Sequence, residues 1–179
     1  MDADDEARIV ERRIRILLLG FIVGLVLSGV TAFPLPQEAR ALADWSGHSS
    51  LNGSALHLWL LRVSEGLDAA ESRYPFLLYG TDWLAFAHLI IAGLFVGPLR
   101  DPVRNVWVVQ WGLFACIGVI PLALICGPIR GIPFFWQLID CSFGVVGIVP
   151  LIICYRMIRH LESAGDKIDR PRATIPYEM

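Results

Sequence analysis

Charge is what this chain has least of. Asp, Glu, Lys and Arg make up 18% of its 179 residues, where a soluble domain carries about 25%, and they cluster outside four apolar runs. With 55% hydrophobic residues and a mean hydropathy of +0.58, a soluble globular class is excluded. Basic charge is not in excess either. The net charge is −2 and the pI about 6.1, so nucleic acid finds no electrostatic footprint. Cys116, Cys126, Cys141 and Cys154 form no CxxC pair, which argues against a thiol oxidoreductase and leaves them as small apolar packing residues. No Gly-rich phosphate loop occurs. Ser142 has no GxSxG around it. No internal repeat of about 20–50 residues is visible, which argues against an inverted-repeat transporter.

What the chain does have is four apolar runs, at 16–33, 83–99, 106–125 and 134–158. Each can cross the hydrocarbon of a bilayer as a helix. Arg8, Arg12, Arg13 and Arg15 precede the first run. That order also describes a signal peptide, with Val30-Thr31-Ala32 as a cleavage site, but the run is long enough to stay as an anchor. Gly20, Gly24, Ser28 and Ala32 recur every four residues, and Gly93 and Gly97 form a GxxxG. Both patterns predict close helix contacts in lipid. Between the first two runs, Leu56, Trp59, Leu60, Val63, Leu67 and Ala70 fall at helical spacing, with Arg62, Glu65, Asp68 and Glu71 largely off that stripe. The stretch Gly47 to Ser54 reads as loop. The expected fold is all-α: an integral membrane four-helix bundle over 1–161, with an amphipathic helix in the long first outer loop (34–82) that caps the bundle or lies on the membrane. A disordered cytoplasmic tail follows at 162–179.

Eleven of the 15 Lys and Arg residues fall on the side of the termini and four on the other. The excess predicts cytoplasmic N- and C-termini. His88 and Asp140 then lie about six residues inside the outer boundary, roughly 9 Å deep. Ionisable groups at that depth face other helices or water rather than lipid. Asp82, His88, Arg130, Gln137 and Asp140 are therefore the candidate ligand-binding set of an outward-facing polar pocket. Ala85 and Ala92 beside His88, and Gly144 and Gly147 beside Asp140, mark interhelical faces. Each residue also has a structural reading. Asp140 pairs with Arg130, Asp82 favours the N-terminus of its helix, and His88 bonds Asp140 or a carbonyl. One histidine without HxxxH is a poor metal site. A haem or chlorophyll would need His88 as its axial ligand, with no second membrane histidine to complete the pair. No metal is therefore assigned and the cofactor stays open. On the inner turn, Arg100, Asp101 and Arg104 are expected to form ion pairs near the headgroups.

The stretches SGVTAFP, YPFLLYGTDWLAFAH, GPLRDPVRN, CGPIRGIPFFWQLIDCSFG and PLIICYRMI resemble a group of small bacterial four-helix membrane proteins of unassigned function. The resemblance covers about residues 14–161 without much of the outer loop. It implies the architecture and a bacterial inner membrane, and it transfers no mechanism. The expected function is a binding or accessory subunit that holds a small amphipathic ligand, a lipid or quinone, or supports other membrane subunits. The alternative is a membrane enzyme with His88 as general acid/base, oriented by Asp82 or Asp140, and Arg130 as anion stabiliser.

Overall fold

A computed structural model describes the backbone of residues 3–169 and the side chains of residues 5–163. The chain is all-α and of helical-bundle class. Its helices are α1 (Ala3–Ala32), α2 (Leu35–Gly47), α3 (Ala55–Arg73), α4 (Tyr79–Leu94), α5 (Val96–Arg100), α6 (Val106–Ile129) and α7 (Phe134–Asp169), with a 3-10 turn at Pro75–Leu77. Four stretches are long and apolar enough to cross a membrane: Asp5–Ala32, Pro75–Arg100, Val106–Ile129 and Phe134–Ser163. Their exposed surfaces support a lipid solvent. Phe114, Ile125, Phe143 and Val146 all stand open, a continuous apolar exterior that water would not tolerate.

The expected spans shift at their ends. The second begins before Trp83 and breaks between α4 and α5 at Phe95. The third continues through Pro121 and Pro128 to Ile129. The fourth runs through Pro150, and its helix extends to Asp169. The first residues of the expected tail are thus helical, and those from 170 onward lie outside the described residues.

The chain divides into two compact units. One is the segment Ile22–Gly93, and the other joins the chain before it to the chain after it. In the latter, Ile14, Leu18, Val109, Leu151, Cys154 and Ile158 form the core. Phe21 and Phe95 meet ring to ring at 4.8 Å. Glycines let α7 lie close on α6. A Cβ added at Gly144 would sit 2.5 Å from the Cys116 carbonyl oxygen, and one at Gly147 2.7 Å from the Cys116 Sγ. The small-residue face expected beside Asp140 is therefore an interhelical face.

The α6–α7 connection is shorter than expected, residues 130–133. Gly131 takes φ +69°. Ile132 N–H donates to the Gly127 carbonyl at 2.9 Å and Gly131 N–H to that of Pro128 at 3.1 Å. This is a Schellman motif, which needs a left-handed residue one place past the helix end. Arg130 occupies the C-cap, where a cation suits the helix dipole.

In the unit Ile22–Gly93, the long connection holds two helices. Pro34 and Pro36 end α1 and lie at the start of α2, where a missing N–H costs nothing. Ser54 caps α3 by accepting from His57 N–H at 3.2 Å. The row Pro36, Ala39, Ala43, Ser46 of α2 packs against α3, whose buried residues are His57, Leu60 and Ser64. The apolar stripe expected on α3 is thus not clean: two polar residues are buried on it, while Leu58 and Leu61 are exposed.

The glycine repeats need a correction. Added Cβ atoms at Gly20, Gly24 and Gly93 meet nothing within 4 Å among the described residues. Gly29, outside both repeats, makes the contact: its Cβ would lie 2.9 Å from the Ala85 carbonyl oxygen on α4. A four-residue repeat marks a face without saying what covers it. Gly24→Leu and Gly93→Leu should therefore unfold in detergent within a few degrees of wild type, whereas Gly29→Leu should not fold. A Gly24→Leu protein that also fails to fold would show that the open face is covered.

Candidate functional site

The five candidate residues fall in both units. Arg130, Gln137 and Asp140 belong to the α6–α7 unit, and Asp82 and His88 to the segment Ile22–Gly93.

Arg130 and Asp140 line one cleft of about 280 Å³ on the α6–α7 hairpin, with Val119, Leu122, Ala123, Cys126, Gly127 and Ile132 as its other walls. The cleft follows from the sequence. The Schellman turn ends α6 at Arg130, and Asp140 lies two turns into α7. Apolar residues and glycine fill the space between. The expected ion pair is not formed: among the described residues neither side chain has a salt-bridge partner within 4.0 Å. Both side chains instead line the same apolar cleft.

Gln137 is not a wall of this cleft. It is buried, and its amide nitrogen donates to the Ile132 carbonyl at 2.8 Å. Its Cγ and Cδ lie 2.6 Å from where a Gly127 Cβ would be. The side chain ties α7 to the turn, with its donor spent on the backbone.

In the other unit, Asp82 sits in the first turn of α4, where the helix dipole favours an acid. His88 Nδ1 lies 2.8 Å from the Leu84 carbonyl. A carbonyl can only accept, so Nδ1 is the donor. Of the expected partners for His88, the one found is a carbonyl of its own helix. Asp82 and His88 are six residues apart, which separates them by about 120° around α4 and about 9 Å along it. Asp82 therefore does not share a face with His88. Ala85 and Ala92 are buried, and α1 meets this side of α4, with the Gly29 position 3.1 Å from His88 Cβ.

The inner turn differs from its expectation. Asp101 Oδ1 accepts from the Arg104 backbone N–H at 3.0 Å, and Asn105 Nδ2 donates to the Asp101 carbonyl at 2.9 Å. No ion pair joins Arg100, Asp101 and Arg104 among the described residues. The carboxylate is used by the turn itself, as Asp side chains are when they can reach a backbone N–H two or three places on.

Two polar contacts on the α2–α3 hairpin were not anticipated. Arg40 Nε donates to Asp68 at 2.6 Å, and its other arm reaches Glu71. The i, i+3 spacing of Asp68 and Glu71 puts both acids on one face. That spacing was visible in the sequence, but its partner helix was not. The hydrogen bonds to Asp68 and then to Glu71 push the Arg40 guanidinium further above its ordinary value, so its charge is fixed at any biological pH. Ser46 Oγ donates to the Ala43 carbonyl and lies 2.8 Å from His57 Nδ1, so the ring is the donor. Ser46 is fully buried and its proton is committed, which removes it as a nucleophile. The pair is a packing contact between α2 and α3.

No group of three or more His, Cys, Asp or Glu that could hold a metal converges among the described residues, and the four cysteines are free thiols. Comparison of the chain with protein-family models, curated proteins and solved structures finds no match.

Proposed function

We propose that this polytopic membrane protein is a binding or accessory subunit, not an enzyme, and that it holds a small amphipathic molecule, a lipid or quinone, in the α6–α7 cleft. One observation carries the reading. Arg130 and Asp140 face an apolar cleft without pairing with each other. An unpaired charge beside hydrocarbon is expensive, and a bound headgroup or quinone oxygen would offset that cost at Arg130. Val119, Leu122 and Ala123 would take the apolar part. With eleven of the 15 basic residues on the side of the termini, both termini are cytoplasmic in a bacterial inner membrane and the cleft opens outward.

The test is retention. Wild-type protein purified in mild detergent should carry a lipid or quinone detectable by mass spectrometry. Arg130→Ala, checked for folding by circular dichroism, should retain at least about tenfold less, the equivalent of one charge-assisted hydrogen bond. Equal retention by the two proteins would end the proposal.

The enzymatic reading rests on His88, whose Nδ1 donates to the Leu84 carbonyl, which makes Nε2 the ring nitrogen that would exchange a proton with a substrate. Any activity found should then show a pH–rate profile that His88→Gln abolishes.

A further inference from the structure

The α2–α3 hairpin is pinned at both ends. Only Phe33 and Pro34 separate α1 from α2, and only the short turn around Pro75–Leu77 separates α3 from α4. Leu35 is three residues on from Ala32, a reach of at most about 11 Å, so α2 starts within that distance of the end of a membrane span.

The hairpin also has two unlike flanks. Taking the contact row of Ala39, Ala43 and Ser46 as the centre, 3.6 residues per turn puts Arg40 and Asp44 on one flank of α2. Leu42 and Trp45 fall on the other, with Glu38 between them. On α3, Asp68 marks the first flank because it reaches Arg40 at 2.6 Å, and Glu65 shares it. Leu56, Trp59 and Val63 fall on the second. One flank is therefore an ion cluster that also carries the neighbouring pair Leu58 and Leu61, 59% and 43% exposed. The other is apolar apart from Glu38, with Leu42 47% and Trp45 59% exposed at its edge. Tyr79 and Trp83, at the start of α4, are 61% and 59% exposed and extend an aromatic belt to the span itself.

We propose that the apolar flank of the α2–α3 hairpin lies in the headgroup–acyl boundary of the bilayer, as an in-plane anchor for an uncharged lipid surface. The charge count selects the lipid. Between Leu35 and Arg73 stand Glu38, Asp44, Glu65, Asp68 and Glu71 against Arg40, Arg62 and Arg73, and Arg40 is already neutralised by two acids. Anchors that seek anionic lipid carry basic polar faces. This one is net acidic, so apolar burial must hold it down.

The full chain, reconstituted in phosphatidylcholine vesicles, tests this with nitroxide labels on Leu42→Cys and, from the polar flank, Gln37→Cys, each corrected for labelling of the unsubstituted protein. The label at 42 should collide several-fold more with oxygen than with a water-soluble nickel chelate, and the label at 37 should show the reverse. Neither ratio should change when phosphatidylglycerol is added or salt is raised. Equal nickel access at both positions would place the hairpin in water. Shielding of position 42 from both reagents would mean that protein covers it. A requirement for phosphatidylglycerol would overturn the choice of lipid. Any of these sinks the proposal. If Leu42→Cys does not fold, quenching by brominated lipid, read as the difference between wild type and Trp45→Phe, decides in its place: a difference supports the anchor and its absence refutes it.

Discussion

Gly144→Leu should yield no folded protein in detergent, and Gly144→Ala should be less stable than wild type by about 1–3 kcal/mol, the usual cost of an overpacked contact. The Cβ would fall 2.5 Å from the Cys116 carbonyl oxygen, and backbone cannot step aside without displacing α6. Gly147 gives the internal control. Its obstacle is the Cys116 Sγ at 2.7 Å, a side-chain atom, with Cys116 Cβ at an ordinary 3.9 Å. Cys116→Ala should therefore rescue Gly147→Ala and leave Gly144→Ala unrescued. Thermal unfolding of the two single and two double variants, followed by circular dichroism, reads this directly. Rescue of Gly144→Ala by Cys116→Ala would show that α6 and α7 do not pack as described.

Gln137→Leu should cost about 1–3 kcal/mol, because it removes the donor to the part-buried Ile132 carbonyl and leaves that acceptor without its partner. Gly127→Ala should also destabilise, since the Gln137 side chain fills the space a Cβ needs. The two changes touch one another and should be non-additive: in Gly127→Ala with Gln137→Ala the steric part of the cost disappears and the lost hydrogen bond remains. Denaturation of wild type, Gly127→Ala, Gln137→Ala and the double variant in detergent gives the coupling, with Gln137→Leu measured beside them. The same set separates structure from binding. If Gln137→Leu keeps its stability and loses the retained lipid or quinone, Gln137 serves the ligand rather than the turn.

The four spans were legible because hydropathy over some twenty residues needs no knowledge of neighbours. The tight α6–α7 turn was legible as the short gap between the third and fourth apolar runs. α2 was not. Its apolar positions are mostly alanine and proline, Pro36, Ala39 and Ala43, a row too weak to signal a helix until α3 lies against it. The polar contacts failed for a related reason. Arg40 and Asp68 are 28 residues apart, and only the hairpin brings them together. Depth in the membrane put His88 and Asp140 at one level, and the cleft that holds Asp140 also holds Arg130. It could not say which way a side chain would turn: Gln137 turned to the Ile132 carbonyl, Asp101 to a backbone N–H, and His88 to Leu84. In each case a nearby backbone group was a closer partner than a distant charge, and sequence spacing alone does not rank the two.

The buried Cys154 thiol lies 3.8 Å from the Ile14 carbonyl, a contact across 140 positions of chain. During synthesis these two residues are separated by almost the whole message. The segment Ile22–Gly93 is delivered by the ribosome as one uninterrupted stretch, and its partners are present as soon as Gly93 has emerged. The opening half of α1 is in the opposite position. Ile14 and Leu18 belong to a unit whose other residues begin at Leu94, so that half-helix must wait in the membrane until α7 has been made. A nascent chain stopped after Gly93 would hold a formed α2–α3 hairpin and an unsatisfied first half of α1, exposed to whatever quality-control machinery surveys incomplete membrane proteins.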